Sequence, residues 1–161
     1  KKDLLLFEME RYFGHDTKRI RHAKKVLGYA QQLLEKEKAD PLVVMASAIL
    51  HDIGIRKAEE KHKSSAGNYQ EIEGPPIARE MMEKLQLKKE VINEVCEIIA
   101  HHHSPGEVTT INFKVLYDAD WLVNLKDEFD ASDKEKLSTT INKVFLTESG
   151  KELARAIYLA G

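Results

Sequence analysis

The residues in this chain that could do chemistry are histidines and aspartates, and most of them sit on helical, apolar stretches. His51-Asp52 closes the apolar run 42–50, one residue before Ile53-Gly54. A carboxylate near the core is costly unless it is paired or bound to a cation. Adjacent helical residues diverge by about 100°, so both side chains reach one point only if the helix unwinds there, which Gly54 allows. The plainer alternative is a histidine closing the helix against its dipole, beside a solvated aspartate. His22 lies among Ile20, Ala23, Val26 and Leu27, where it is either a core residue or a ligand. His101-His102-His103 ends a helix whose inner positions are Val91, Val95 and Ile98. That phase turns His102 inward, while a helix end also suits a solvated histidine. Asp118 and Asp120 stand inside the apolar segment 116–125, where an ion pair is the competing explanation. Imidazole and carboxylate together form a nitrogen–oxygen ligand set suited to iron, manganese, cobalt, nickel or zinc.

These residues need helices to position them, and the periodicity is helical nearly throughout. Leu4, Leu5, Met9 and Tyr12 mark a first short helix ended by Gly14. Thr17 is the candidate N-cap of a second, with Ile20, Ala23, Val26, Leu27, Ala30, Leu33 and Leu34 on one face. Asp40-Pro41 is a helix start, and that third helix is expected to reach about His51 and end at Gly54. Residues 56–74 are polar and read as a long loop. Pro75-Pro76 opens a helix carrying Ile77, Ala78, Met81, Met82 and Leu85, and another spans 87–102 before Ser104-Pro105-Gly106. A helix over 113–125 and an amphipathic pair near 134–145 and 151–159 complete the chain; strand-like alternation is confined to 108–113. The expected fold class is all-α, a single helical bundle over 1–161 with a metal site between helices.

Length, charge and cysteine content narrow the function. At 161 residues one domain is the default. With 25 Lys+Arg against 27 Asp+Glu, there is no basic excess for a nucleic-acid polymer. The single cysteine, Cys96, excludes an internal disulfide and an all-thiolate zinc site. The longest apolar run, 42–50, is far short of the ~20 residues of a membrane span. No targeting segment is visible, so the expected location is the cytoplasm and no membrane partner is expected; a homo-oligomer is compatible with the composition.

The order His22, then His51-Asp52, then Asp120 resembles the HD-domain superfamily of metal-dependent phosphohydrolases. Arg19-Ile20-Arg21-His22-Ala23-Lys24-Lys25-Val26 is similar to the family's His-x-x-x-Val entry. Ala46-Ser47-Ala48-Ile49-Leu50-His51-Asp52-Ile53-Gly54 is close to its apolar-His-Asp-x-Gly signature, and Asp118-Ala119-Asp120-Trp121-Leu122 to its Ala-Asp-x-Leu element. The likeness covers about residues 17–125. It implies that His22, His51, Asp52 and Asp120 ligate one divalent metal (Mn, Fe, Co, Ni, Mg or Zn), Asp120 fitting better than Asp118, with a second metal left open. It implies hydrolysis of a phosphate ester or anhydride of a nucleotide or another small phosphorylated metabolite. Asp52 would then also act as a base, and His101, His102 or His103 would stabilise charge or protonate the leaving group. Arg56, Lys57 and Glu73 form the candidate substrate-binding set, Glu73 alternatively orienting a ligand histidine, with Lys61 and Lys63 as further phosphate clamps. The loop 56–74 would be a lid. His15 and His62 are expected at the surface. The alternatives are a catalytically silent HD domain that binds a ligand or serves as a scaffold, and an oxygenase with a binuclear iron centre.

Overall fold

The computed structural model describes residues 1–128 and 132–159, and among these every regular element is an α-helix. The nine helices are α1 (Lys2–Phe13), α2 (Thr17–Leu34), α3 (Pro41–Leu50), α4 (Ile55–His62), α5 (Gly67–Lys84), α6 (Lys89–His101), α7 (Ile111–Glu128), α8 (Lys134–Val144) and α9 (Glu148–Tyr158). The alternation at 108–113 forms no strand, and Ile111 already opens α7.

α3 is the centre of the bundle. Val43, Val44, Ala46, Ala48, Ile49 and Leu50 are all buried, as a helix apolar on every face must be. It starts as its sequence requires. Pro41 occupies the first turn, and the Asp40 carboxylate accepts from the Leu42 and Val43 amides at 3.0 and 3.3 Å. α2, α6 and α7 pack around it, α1 covers one side, and α5 lies on α6. Three helices that carry His or Asp therefore surround a fourth whose end carries both. α1 stops where Gly14 turns left-handed, at φ 58°. The cap of α2 is Asp16 rather than Thr17, its carboxylate receiving the Arg19 amide. No helix of the described residues is long and apolar enough to cross a membrane.

Residues 56–74 are not a loop. α4 runs to His62, and after a short connection α5 begins at Gly67 and continues through Pro75 and Pro76. Pro75-Pro76 therefore lie inside a helix instead of opening one, although each removes a backbone donor. The packing between α4 and α5 explains why the hairpin forms without an apolar stripe. A Cβ on Gly54 would lie 2.4 Å from the Gly74 nitrogen and 2.9 Å from the Gln70 carbonyl, while one on Gly74 would press on Ile99. Backbone meets backbone here, and only glycine leaves the room. Gly54 is thus selected for close approach: at φ −82° it is not the left-handed stop expected for α3.

Asp118 ties α7 to the segment before α9. It accepts from the Leu146 amide at 2.9 Å, the Thr147 amide at 2.9 Å and the Thr147 hydroxyl at 2.7 Å. That same hydroxyl accepts from the Gly150 amide and caps α9.

Two substitutions test this packing by urea unfolding. Gly54→Ala forces α4 off α5 and is expected to lower stability by about 1–3 kcal/mol, the range of an overpacked core site. Asp118→Ala strands the buried Thr147 amide and is expected to cost about 1–3 kcal/mol, without altering the His–Asp cluster described next.

Candidate metal centre

Four helices deliver their polar side chains to one point beside the end of α3. α3 closes by tightening: the Ile53 amide reaches the Leu50 carbonyl at 3.0 Å and the Ile55 amide the Asp52 carbonyl at 3.1 Å, both three residues back. This i→i+3 turning brings the neighbours His51 and Asp52 to a shared focus, with Nε2 of His51 3.3 Å from Oδ2 of Asp52. α2 supplies His22, whose Nε2 lies 3.3 Å from Nε2 of His51, 3.4 Å from Oδ2 of Asp52 and 3.0 Å from Oδ1 of Asp120. Asp120 comes from α7 and stands 3.4 Å from His51. Each carboxylate thus lies within 3.4 Å of both imidazoles. Donors about 3.0–3.4 Å apart are what a cation held at about 2.0–2.2 Å requires.

Proton inventory sharpens the fit. The ring of His51 is wholly buried, and its Nδ1 donates to the Ala48 carbonyl at 2.8 Å. A carbonyl only accepts, so Nδ1 carries the hydrogen and Nε2 of the neutral ring presents a lone pair. His102 repeats the arrangement at the end of α6: Nδ1 donates to the Ile99 carbonyl at 2.7 Å, and Nε2 points at Oδ1 of Asp52 from 3.4 Å. That buried Nε2 has no hydrogen-bond partner. Lone pairs of imidazole and carboxylate thus face each other in a desolvated space. Only a proton or a metal cation between them removes the repulsion.

The electrostatics follow. Burial works against a charged His51 ring, but the Asp52 and Asp120 carboxylates outweigh it and hold its pKa well above the ordinary imidazole value. Burial likewise opposes ionised Asp52 and Asp120. His51 and His102 nevertheless draw Asp52 well below the usual carboxylate range, and His51 and His22 draw Asp120 below it too. Asp118, two residues from Asp120, behaves oppositely: burial pushes it up to about 6 against its three donors. The two carboxylates of this segment have separate jobs, Asp120 at the cluster and Asp118 in the α7–α9 tie.

A pocket of about 240 Å³ opens onto the cluster, lined by Lys18, Arg19, His22, Asp52, Ile55, Gln70, His103, Asp120 and Asn124. Among the described residues, two groups of side chains could hold a metal ion, His22–His51–Asp52 and Asp52–His102–His103, and they share Asp52. The expected residues His22, His51, Asp52, Asp120 and His102 are therefore brought together. Others are not. His101 turns away to Glu107 at 3.3 Å, and His103 takes the pocket position instead. Arg56 donates to the Tyr12 carbonyl and stacks over the Tyr12 ring at 5.2 Å, fastening α4 to α1. Lys57 is exposed and outside the pocket lining. Glu73 is buried and pairs with His62 at 2.8 Å and Lys61 at 3.6 Å. His62 is accordingly half-buried, stacked on Tyr69 at 4.2 Å, rather than at the surface.

Sequence reasoning passed over Gln70, Asn124 and Lys18, while it offered His103 only as one of three consecutive histidines. Asn124 stands one helical turn beyond Asp120 and donates to its Oδ1 at 3.1 Å. Lys18 stands one turn before His22. Both were accessible from the i, i+4 spacing. Gln70, which meets the His103 ring at 3.1 Å, lies in the segment read as loop and gave no such signal.

Comparison with known proteins identifies the family and the fold. The HD domain family model matches residues 19–125, which include all four residues of the cluster. A crystal structure of a predicted HD superfamily hydrolase from an uncultured Thermotogales bacterium has the same fold, with a TM-score of 0.69 and 24% sequence identity over 96% of this chain and 83% of that one. A search of curated proteins found no match. By the family match and the ordered His, His-Asp, Asp set that it spans, the chain belongs to the HD domain family.

Proposed function

We propose that the protein is a metal-dependent phosphohydrolase acting on a small phosphorylated molecule, with His22, His51, Asp52 and Asp120 as the metal ligands. One observation carries the reading. Two buried imidazoles, His51 and His102, are each pinned by a main-chain carbonyl so that their free nitrogens face carboxylate oxygens. A ligand histidine is held through its other nitrogen in just this way, and a divalent cation would take the place of the proton on that line.

A divalent cation bound there would acidify a coordinated water and withdraw charge from a phosphoryl oxygen. The chain's own groups do the rest. Asp52 is shared between the two sides of the cluster and is the nearest acceptor for a proton leaving an attacking water. His102 faces the other oxygen of Asp52 and receives or returns that proton through Nε2. Asn124 holds Asp120 in place by its amide. Gln70 of α5 and His103, just beyond α6, form the opposite wall of the pocket. A second cation in the Asp52–His102–His103 group is a specific variant of the same reading, favoured by Asp52 belonging to both groups.

Two measurements test it. Mn²⁺ or Co²⁺ is expected to raise the unfolding temperature, by about 2.7 kcal/mol of added stability at a hundredfold excess over Kd. EDTA should reverse the effect and His22→Ala should abolish it, with metal analysis separating one ion from two. Against a panel of phosphorylated metabolites with manganese, nickel or cobalt, Asp52→Ala is expected to lower turnover at least about 10²-fold. Unchanged turnover in Asp52→Ala, or metal binding without turnover of any phosphoester, would favour a silent binding module instead.

A further inference from the structure

The pocket walls present more polar groups than the metal cluster uses, and all but one are already committed to protein partners. Arg19 is neutralised twice, by Asp16 at 2.7 Å and by Glu59 at 3.1 Å. Gln70 donates to the Ser65 carbonyl at 2.6 Å and meets His103 through its oxygen. The Asn124 amide is spent on Asp120. Lys18 is the exception. It lines the same pocket, and among the described residues it forms no ion pair. It precedes His22 by four residues on α2, so the two share one face, with Lys18 a turn nearer the solvent.

We propose that Lys18 is the phosphate-anchoring residue of this pocket, its ammonium binding the outer oxygens of a phosphoryl group whose inner side faces His22, Asp52 and Asp120. The inference rests on the phosphohydrolase reading for its catalytic consequence, although anion binding itself does not. Charge supports it. Two carboxylates and one divalent cation cancel, and the Asp16–Arg19–Glu59 set carries no excess positive charge. Lys18 is therefore the group that makes the loaded pocket attractive to a dianion. Pocket size supports it too: about 240 Å³ is below the roughly 300–1,000 Å³ that encloses a drug-sized ligand. A pocket of this size has room for a phosphoryl group beside the metal ligands, so the phosphate is the part of the substrate that Lys18 grips.

The experiment compares wild type, Lys18→Met and Lys18→Arg, each loaded with Mn²⁺. Inorganic phosphate binding is measured by calorimetry, and KM and kcat with p-nitrophenyl phosphate and with any ester found in the panel. Lys18→Met is expected to weaken phosphate binding and raise KM about 10- to 100-fold, the range of a charge-assisted hydrogen bond. Its kcat, unfolding temperature and metal content should change little, and Lys18→Arg should recover most of the affinity. Turnover and phosphate affinity equal to wild type in Lys18→Met would overturn the assignment while leaving the hydrolase reading intact. Phosphate binding that depends on Lys18, without turnover of any ester, would uphold the anchor and sink the hydrolase. If the loaded wild type binds no phosphate, the anchor falls whatever the turnover.

Discussion

Acceptors facing acceptors in a desolvated space are the constraint on which this molecule turns. Nε2 of His51 and of His102 converge on Asp52, and His51 converges further on Asp120 and His22, so each of these lines must hold a proton or a cation. Left uncompensated, such an arrangement would push the helices apart. It persists because α3 is buried over most of its surface and α2, α6 and α7 are packed against it. The fold supplies the force that holds the donors in place, and a bound cation would supply the charge that compensates them. Function and packing meet at the end of α3.

The tightening of the chain at residues 51–55 links these two levels. Three-residue hydrogen bonding at Ile53 and Ile55 aims two consecutive side chains at one focus and, in the same stroke, launches α4 toward α5. The hairpin then closes the pocket wall, because Gly54 and Gly74 bring the backbones into contact and leave Gln70 beside His103. A glycine at a helix end therefore shapes the pocket from the opposite side.

Much of this was legible in the residues. Asp40-Pro41 marked the start of α3 by chemistry that needs no tertiary help, and the apolar periods of α2, α6 and α7 placed His22, His102 and Asp120 on inward faces. The choice of Asp120 over Asp118 at the cluster agrees with the geometry, since Asp118 is engaged by Leu146 and Thr147. The α4–α5 hairpin was not legible. Its buried positions include Gln70, Glu73 and Gly74, which no hydrophobic period reveals, and its helix crosses two prolines that locally argue for a boundary. The contacts that stabilise it, Gly54 on Gly74 and Glu73 on His62, join residues whose types say nothing until the chain has folded. Arg56 and Lys57, expected at the substrate because they follow the His-Asp pair, lie outside the pocket lining. The structure assigns the pocket lining to Lys18, Gln70 and His103 instead.

The most direct test is anomalous diffraction from crystals grown with Mn²⁺. The account predicts a strong peak enclosed by Nε2 of His22, Nε2 of His51, Oδ2 of Asp52 and Oδ1 of Asp120, at about 2.0–2.2 Å from each. An absent peak, with His51 and Asp52 joined instead by a hydrogen bond in a closed and unmetallated cluster, would contradict it.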